Sequence, residues 1–263
     1  MRRALAIAAV LLAAACVQTT GGQIIDFPVA AAGASDLAAG QPLRFTSDDG
    51  WDVVLTTAKL HVGAVYLDSA APVSGAQDTP CILPGTYLGQ MTTGMDVDLL
   101  SPTPQRFPAL GHGTTGAAIV GQLWLTGVIG DIDVPTDTTR ILVVAGTASL
   151  GADVRPFTGQ ITIGSNRIPA ASTTAGAAPI CKQRVVSVLT DVALAATGGL
   201  VVRIDVRKLF TNVDWPSLAK AADGYAFVDE TNKDQPSTSL FSNLHAGTGS
   251  ASPYAFSWVA DLQ

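Results

Sequence analysis

The sequence predicts an all-β protein, an antiparallel β-sandwich with one or two short helices near the C-terminus. Three observations carry this. Glutamate occurs once in 263 residues, at Glu230, and lysine five times, so long solvent-facing helices lack their usual side chains. Threonine, valine, glycine and aspartate are plentiful, the composition of strands joined by polar turns. The apolar runs are short and set apart by Gly, Pro, Asn and Asp.

The elements follow in order. Ile24 to Val29 reads as a first strand. "PLRFT" and "WDVVLTTAKLHVGAVYL" flank "SDDGWD", whose Asp49-Gly50 is a hairpin signal. The second run is long and alternates imperfectly, as in a strand that is bulged or buried on both faces. Leu83 to Leu110 holds several prolines and reads as an irregular excursion with short strands around Tyr87–Met91 and Val97–Leu99. "AAIVGQLWLTGVIG", "RILVVAGTASLG", "RPFTGQITIG", "RVVSVLTDVAL" and "LVVRIDVRKLF" read as strands. In the last, Val202, Ile204 and Val206 share one face and Arg203, Asp205 and Arg207 the other, a sheet with one wet side. Asn166 to Pro179 is an Ala/Thr/Ser/Pro-rich loop. "DWPSLAKAADG" predicts a short helix with Pro216 in its first turn. "STSLFSNLHAGTG" predicts another, capped by Ser237 or Thr238 and ended by Gly247. "YAFSWVAD" predicts a closing strand.

The N-terminus reads apart from the fold. Met1-Arg2-Arg3, an apolar run from Ala4 to Leu12 and three alanines have the layout of a secretory signal peptide. The apolar run is shorter than the ~20 residues a permanent span needs. The segment resembles the bacterial lipoprotein signal, in which the cysteine after small residues is lipidated, with Ala13 where leucine is commoner. The resemblance implies lipidation of Cys16, with residues 1–15 as signal peptide and 16–23 as tether; the absence of a fixed-period repeat or a long interior linker makes 24–263 a single β-sandwich domain. Val17 after the lipidated cysteine is similar to the Gram-negative sorting pattern for the outer membrane. The alternative is an ordinary cleavage after the alanines, leaving Cys16 as a free thiol.

Cysteine number bears on this choice. Cys16, Cys81 and Cys181 make an odd set. Lipid on Cys16 leaves two, which an oxidising compartment favours joining. A Cys81–Cys181 bridge closes a loop of about 100 residues, worth up to ~4–5 kcal/mol in the chain-entropy account. Two buried thiols are the alternative.

Loss of residues 1–15 takes two of the 15 basic residues and none of the 21 acidic ones, moving the net charge from −6 to −8. Nucleic acid is thereby disfavoured as a partner, since phosphate binding needs clustered Lys and Arg. Membrane attachment then rests on the acyl chains.

Motifs for chemistry are sparse. "GHGTTG" (Gly111 to Gly116) matches the dinucleotide pattern formally, but no strand precedes it and no helix follows, so it reads as a glycine-rich turn. No G-x-S-x-G, H-E-x-x-H or S-x-x-K occurs. Asp131, Asp133 and Asp137 in "GDIDVPTD" are spaced similarly to acidic calcium loops without the EF-hand glycine and glutamate, and read as an acidic surface turn. His61, His112 and His245 are the three imidazoles, and Met91 and Met95 add thioethers, a donor set that suits copper if the side chains converge. Trp51, Trp124, Trp215 and Trp258 are spread along the chain and read as core packing rather than a carbohydrate platform.

"LVVRIDVRKLFTNVDW" and "DGWDVVLTTAKLHVGAVYLD" resemble strands of the methanobactin-associated periplasmic copper-binding family and its lipoprotein relatives. The resemblance implies copper binding. Relatives carry a His-Pro-Gly-His run where this chain has Leu83-Pro84-Gly85-Thr86, so no copper ligand is carried over residue by residue.

The sequence therefore predicts a lipid-anchored envelope protein of the outer membrane or cell surface. It reads as a non-enzymatic binding or structural module, with an unknown protein or small ligand as partner. A copper-binding protein is the alternative, and an Asp-dependent enzyme, which needs a pocket holding two carboxylates, is a third. Beyond copper, no cofactor is implied.

Overall fold

The computed structural model describes residues 21–70, 85–132, 134, 136–163, 181, 184–228, 234–247 and 251–262. In chain order the strands are β1 (Ile24–Phe27), β2 (Val29–Gly33), β3 (Leu43–Thr46), β4 (Asp52–Val62), β5 (Ala64–Asp68), β6 (Tyr87–Met91), β7 (Met95–Asp98), β8 (Gln105–Arg106), β9 (Gly111–Thr114), β10 (Gly116–Ala117) and β11 (Val120–Trp124). They continue as β12 (Arg140–Leu150), β13 (Asp153–Thr162), β14 (Val185–Leu189), β15 (Ala193–Leu194), β16 (Gly199–Ile204), β17 (Ala219–Ala221), β18 (Gly224–Phe227) and β19 (Tyr254–Val259), with the α-helix α1 (Gln235–Leu244) ahead of β19.

The fold class is all-β, as expected. A six-stranded sheet runs β1-β9-β6-β5-β11-β14, a seven-stranded sheet runs β17-β18-β13-β12-β4-β3 with β7 also on β4, and a four-stranded sheet runs β19-β16-β2-β8. Side chains from all three enclose one apolar core, among them Phe27, Leu55 and Val202. Most pairings are antiparallel, but β13–β18 and β16–β2 are parallel, so the sandwich is mixed rather than purely antiparallel.

Several expectations are corrected by local chemistry. The run from Ile24 breaks at Pro28, which cannot donate to a ladder, and the chain passes to a second sheet as β2. The long run after Asp52 is two strands in two sheets. They divide at Gly63, where a β-carbon would lie 2.2 Å from the Thr126 carbonyl oxygen. Its imperfect alternation comes from a register shift that leaves Thr56 as the extra residue opposite Ala145 and Gly146.

"LVVRIDVRKLF" is a strand only to Ile204. Val206–Phe210 is a 3-10 turn opened by the Asp205 carboxylate, which accepts from the Arg207 backbone N–H. Arg203 is half-buried rather than on an open wet face, and its guanidinium donates to the Gly33 and Pro102 carbonyls. "DWPSLAKAADG" is not a helix. Trp215–Ser217 is one 3-10 turn, and the remainder pairs as the β17–β18 hairpin. The helix α1 is capped by Asp234, which accepts from the Ser237 N–H at 2.7 Å, and not by Ser237 or Thr238.

"GHGTTG" is strand rather than turn. Gly111 lies on the Phe27 ring and Gly113 against Gly89, contacts that a β-carbon would block. β19 closes the four-stranded sheet against β16, as "YAFSWVAD" predicts. The loop expected over Asn166 to Pro179 lies outside the described residues.

Candidate functional site

The six-stranded sheet has an apolar inner face and a different outer one. Its register sets Asp26, His112, Gln90, Tyr66, Gln122 and Ser187 directly opposite one another across all six strands. Opposed residues share a face, so this is one polar row. Leu67 and Leu123, one position along on β5 and β11, point the other way into the main core. On the outer face, Ala64, Tyr66 and Trp124 form a second small core with Ile132 and Cys181.

A buried polar chain runs through this second core. The Trp124 indole N–H donates to Gln122 Oε1 at 3.1 Å, and Gln122 Nε2 donates to Asp68 Oδ2 at 2.8 Å. Asp68 is 0% exposed and Gln122 2%. Asp68 Oδ1 has no hydrogen-bond partner among the described residues. It faces Gly85, where a β-carbon would come within 2.3 Å of it. Burial pushes the Asp68 carboxyl up to about 6, against the pull of the Gln122 bond.

Aromatic rings surround this chain. The Tyr66 ring lies 4.5 Å from Trp124 and 5.0 Å from Tyr87. Tyr87 is the member open to solvent, at 40%. Burial, then the Asp68 charge and Tyr66, push its phenol up to about 12, so it keeps its proton at neutral pH. The site thus offers a carboxyl that accepts a hydrogen bond when ionised or donates one when protonated, beside a neutral phenol.

The residues singled out by sequence lie elsewhere. His61 is opposite Asp96 on β7, and its Nδ1 pairs with Asp96 Oδ1 at 2.7 Å. His61 Nε2 is buried without a partner, next to Gly94. His112 Nδ1 pairs with Asp26 across the β1–β9 edge, with the ring exposed. His245 ends α1, where its Nδ1 donates to the Phe241 carbonyl at 2.9 Å and its ring lies on Phe241. Met91 is buried in the main core, and its Sδ accepts from the Thr93 N–H. Met95 is half-buried against the same core, opposite Val62 and so on the other sheet face from His61. The three imidazoles therefore sit on β4, β9 and the end of α1. Among the described residues no three His, Cys, Asp or Glu side chains form a metal-ligating group.

Asp137 is not on an acidic surface. It accepts from Thr126, Gly127 and Thr139 and lies 3.5 Å from the buried Arg184. Burial works to raise it, but the Thr139 and Gly127 hydrogen bonds and the Arg184 charge prevail and hold it below the usual carboxylate range. Asp133, Cys16 and Cys81 lie outside the described residues, as does the side chain of Asp131, while Cys181 is fully buried. Trp51, Trp124 and Trp215 are buried and Trp258 half-buried on Phe27, so the tryptophans pack rather than line one surface.

Sequence reasoning missed Asp68, Gln122, Tyr66 and Tyr87. The available signal was polar residues inside two apolar runs, Asp68 closing "AVYLD" and Gln122 within "IVGQLWL".

Among the described residues, no helix is long and apolar enough to cross a membrane. No protein-family model matches this chain, and neither does the sequence of any curated protein. Among solved structures, MbnP from Methylosinus trichosporium is similar to it, with a TM-score of 0.45 and 14% identity over 90% of this chain and 99% of that one.

Proposed function

We propose that this protein is a non-enzymatic binding module of the bacterial envelope, exported and held to a membrane by lipid on Cys16. The observation that carries the binding role is the buried Asp68 carboxyl with one oxygen left without a partner. Such a group costs about 1–3 kcal/mol, and no hydrogen bond from the described residues offsets it. The suited ligand is a small molecule that places an N–H or O–H on Oδ1 and lays a flat or apolar part on Tyr87.

Native mass spectrometry of the protein purified from its own envelope tests the reading, with Asp68→Ala alongside. The expected result is an adduct on the wild type that the variant lacks. A bare polypeptide mass in both would remove the binding role. The same spectra read the acyl chains on Cys16, which Cys16→Ser should abolish with release from the membrane. A 2 Da gain on reduction would report the Cys81–Cys181 bridge.

One observation favours a second reading. Asp96 holds His61 Nδ1 and leaves Nε2 buried and unpaired, the way a metal-ligating imidazole is oriented. In this reading the protein binds copper through His61 Nε2, and His112, His245, Met91 and Met95 stand too far apart in the fold to complete the site together. Elemental mass spectrometry of protein purified without chelator is the test. Stoichiometric copper lost in a His61/His112/His245 triple alanine variant supports it; absence of copper together with no tight binding on titration removes it.

A further inference from the structure

The edge of the seven-stranded sheet carries a second feature, remote in role from Asp68. β3 is the last strand on that side. The turn before β4 fixes which of its backbone groups are used. The Ser47 N–H donates to the Trp51 carbonyl, and the Ser47 carbonyl accepts from Gly50, whose φ is +81°. Counting back along the register, Phe45 and Leu43 exchange hydrogen bonds with Val53 and Leu55, while Arg44 and Thr46 turn their N–H and C=O away from β4. Those outward groups have no backbone partner among the described residues.

They border two adjoining clefts that share Arg207. One, of about 270 Å³, is lined by Leu37, Leu43, Arg44, Leu100 and Arg207 among others. The next, of about 200 Å³, lies between Phe45–Asp48 and the 3-10 turn carrying Arg207, Lys208 and Phe210. Arg207 is fixed by four hydrogen bonds to Asp36 and Asp205, so the far wall is rigid.

From this geometry we infer that the β3 edge is a docking site for an extended peptide segment of a partner protein, added as one further strand. An unpaired edge is a template for such pairing. β3 of a second copy, Leu43–Thr46, holds no acidic residue to meet Arg44, which argues against self-association. Alternation sets the chemistry of the segment. Residues on the Leu43 and Phe45 side of the segment face Leu37 and Leu100, since Phe210 is already covered by Phe45, and should be apolar. The residue beside Arg44, which makes no ion pair among the described residues, should be acidic.

The test uses the full chain in mild detergent and a phage-displayed library of random 12-residue peptides, with hits synthesised and fluorescein-labelled. Enriched peptides should alternate apolar and polar residues with an acid, and bind at least tenfold more weakly to Arg44→Glu. Thr46→Pro removes an N–H that the fold does not use and should abolish binding. An N-methyl scan of the peptide needs no protein variant. Methyl groups on alternate residues should destroy binding while those between are tolerated. No enrichment, a scan without period two, or indifference to Arg44→Glu would overturn the inference. So would a concentration-dependent dimer by light scattering that Thr46→Pro dissolves, since that would make a second copy the occupant.

Discussion

Two aromatic clusters in this protein are built on opposite terms. In the main core, Phe157, Phe210, Trp215 and Phe227 pack ring on ring, with centroids 5.3 to 6.0 Å apart. Their nearest charge, Arg155, stays at the margin. It lies over Trp51 and Tyr225, donates to the Trp215 and Pro216 carbonyls and pairs with Asp153. On the outer face of the six-stranded sheet, Tyr66, Tyr87 and Trp124 surround a buried carboxyl that the fold leaves one bond short. The first cluster also leaves one buried group without a partner among the described residues, the Trp215 indole N–H, but that group is neutral and its ring is packed on three others. The second costs stability, which is why it is the better candidate for function.

The largest effect should come from removing what both clusters share. β19 pairs along the whole of β16, the Tyr254 hydroxyl donates to the Leu244 carbonyl, and the Phe256 ring fills the space above Gly121, behind Gln122. A chain ending at Pro253 should show no cooperative unfolding by urea with circular dichroism. A sharp transition there would make the sheet order wrong. Next, Trp215→Ala should cost about 3–5 kcal/mol by urea titration, because the side chain is fully buried and the surrounding rings cannot close the gap.

The Asp68→Asn substitution should act in the other direction. The Asp68 carboxyl titrates near 6 in the folded protein and near the ordinary 3.8 when unfolded. The folded state therefore holds the proton more tightly. Stability from this group is complete below about pH 4, declines as pH rises through 6, and is flat above, a loss of about 3 kcal/mol at most. Asparagine imitates the protonated form and keeps an oxygen for Gln122. We expect it to raise stability by about 1–2 kcal/mol at pH 7.5 and to give no gain at pH 4.5, read as the difference between urea midpoints of the two proteins. A variant less stable at pH 7.5 would mean that the carboxylate is matched within the fold.

How much of this contrast was legible in the sequence follows from the range of each cause. Composition and turn chemistry are local, so the strand class, the Asp49-Gly50 hairpin and the β6 and β19 strands could be read directly. Sheet membership is not local. Nothing near Gly63 says that β4 and β5 lie in different sheets; the reason is the Thr126 carbonyl, far along the chain. Asp68 was missed for the same reason. A carboxylate after an apolar strand reads as a turn residue until Gln122 is placed across from Tyr66. The histidines were conspicuous because they are few, and rarity carries no information about where β4, β9 and α1 put them.

The smallest effect sharpens the comparison from the other side. Arg155→Lys keeps the charge beside Asp153 but loses the planar fork that serves two carbonyls and lies against two rings. The cost should be about 1 kcal/mol, a fall of roughly 2–4 °C in Tm for a chain of this size. Asp153 is held below the usual carboxylate range, first by its hydrogen bond to Arg155. Its contribution is present above about pH 4 and is lost only as pH falls further, so the cost of the lysine should be the same at pH 5.5 and 7.5. Over that interval Asp68→Asn should change its effect. If both variants were flat, Asp68 would be an ordinary buried polar residue, and the distinction between a cluster that packs and one that waits for a ligand would fail.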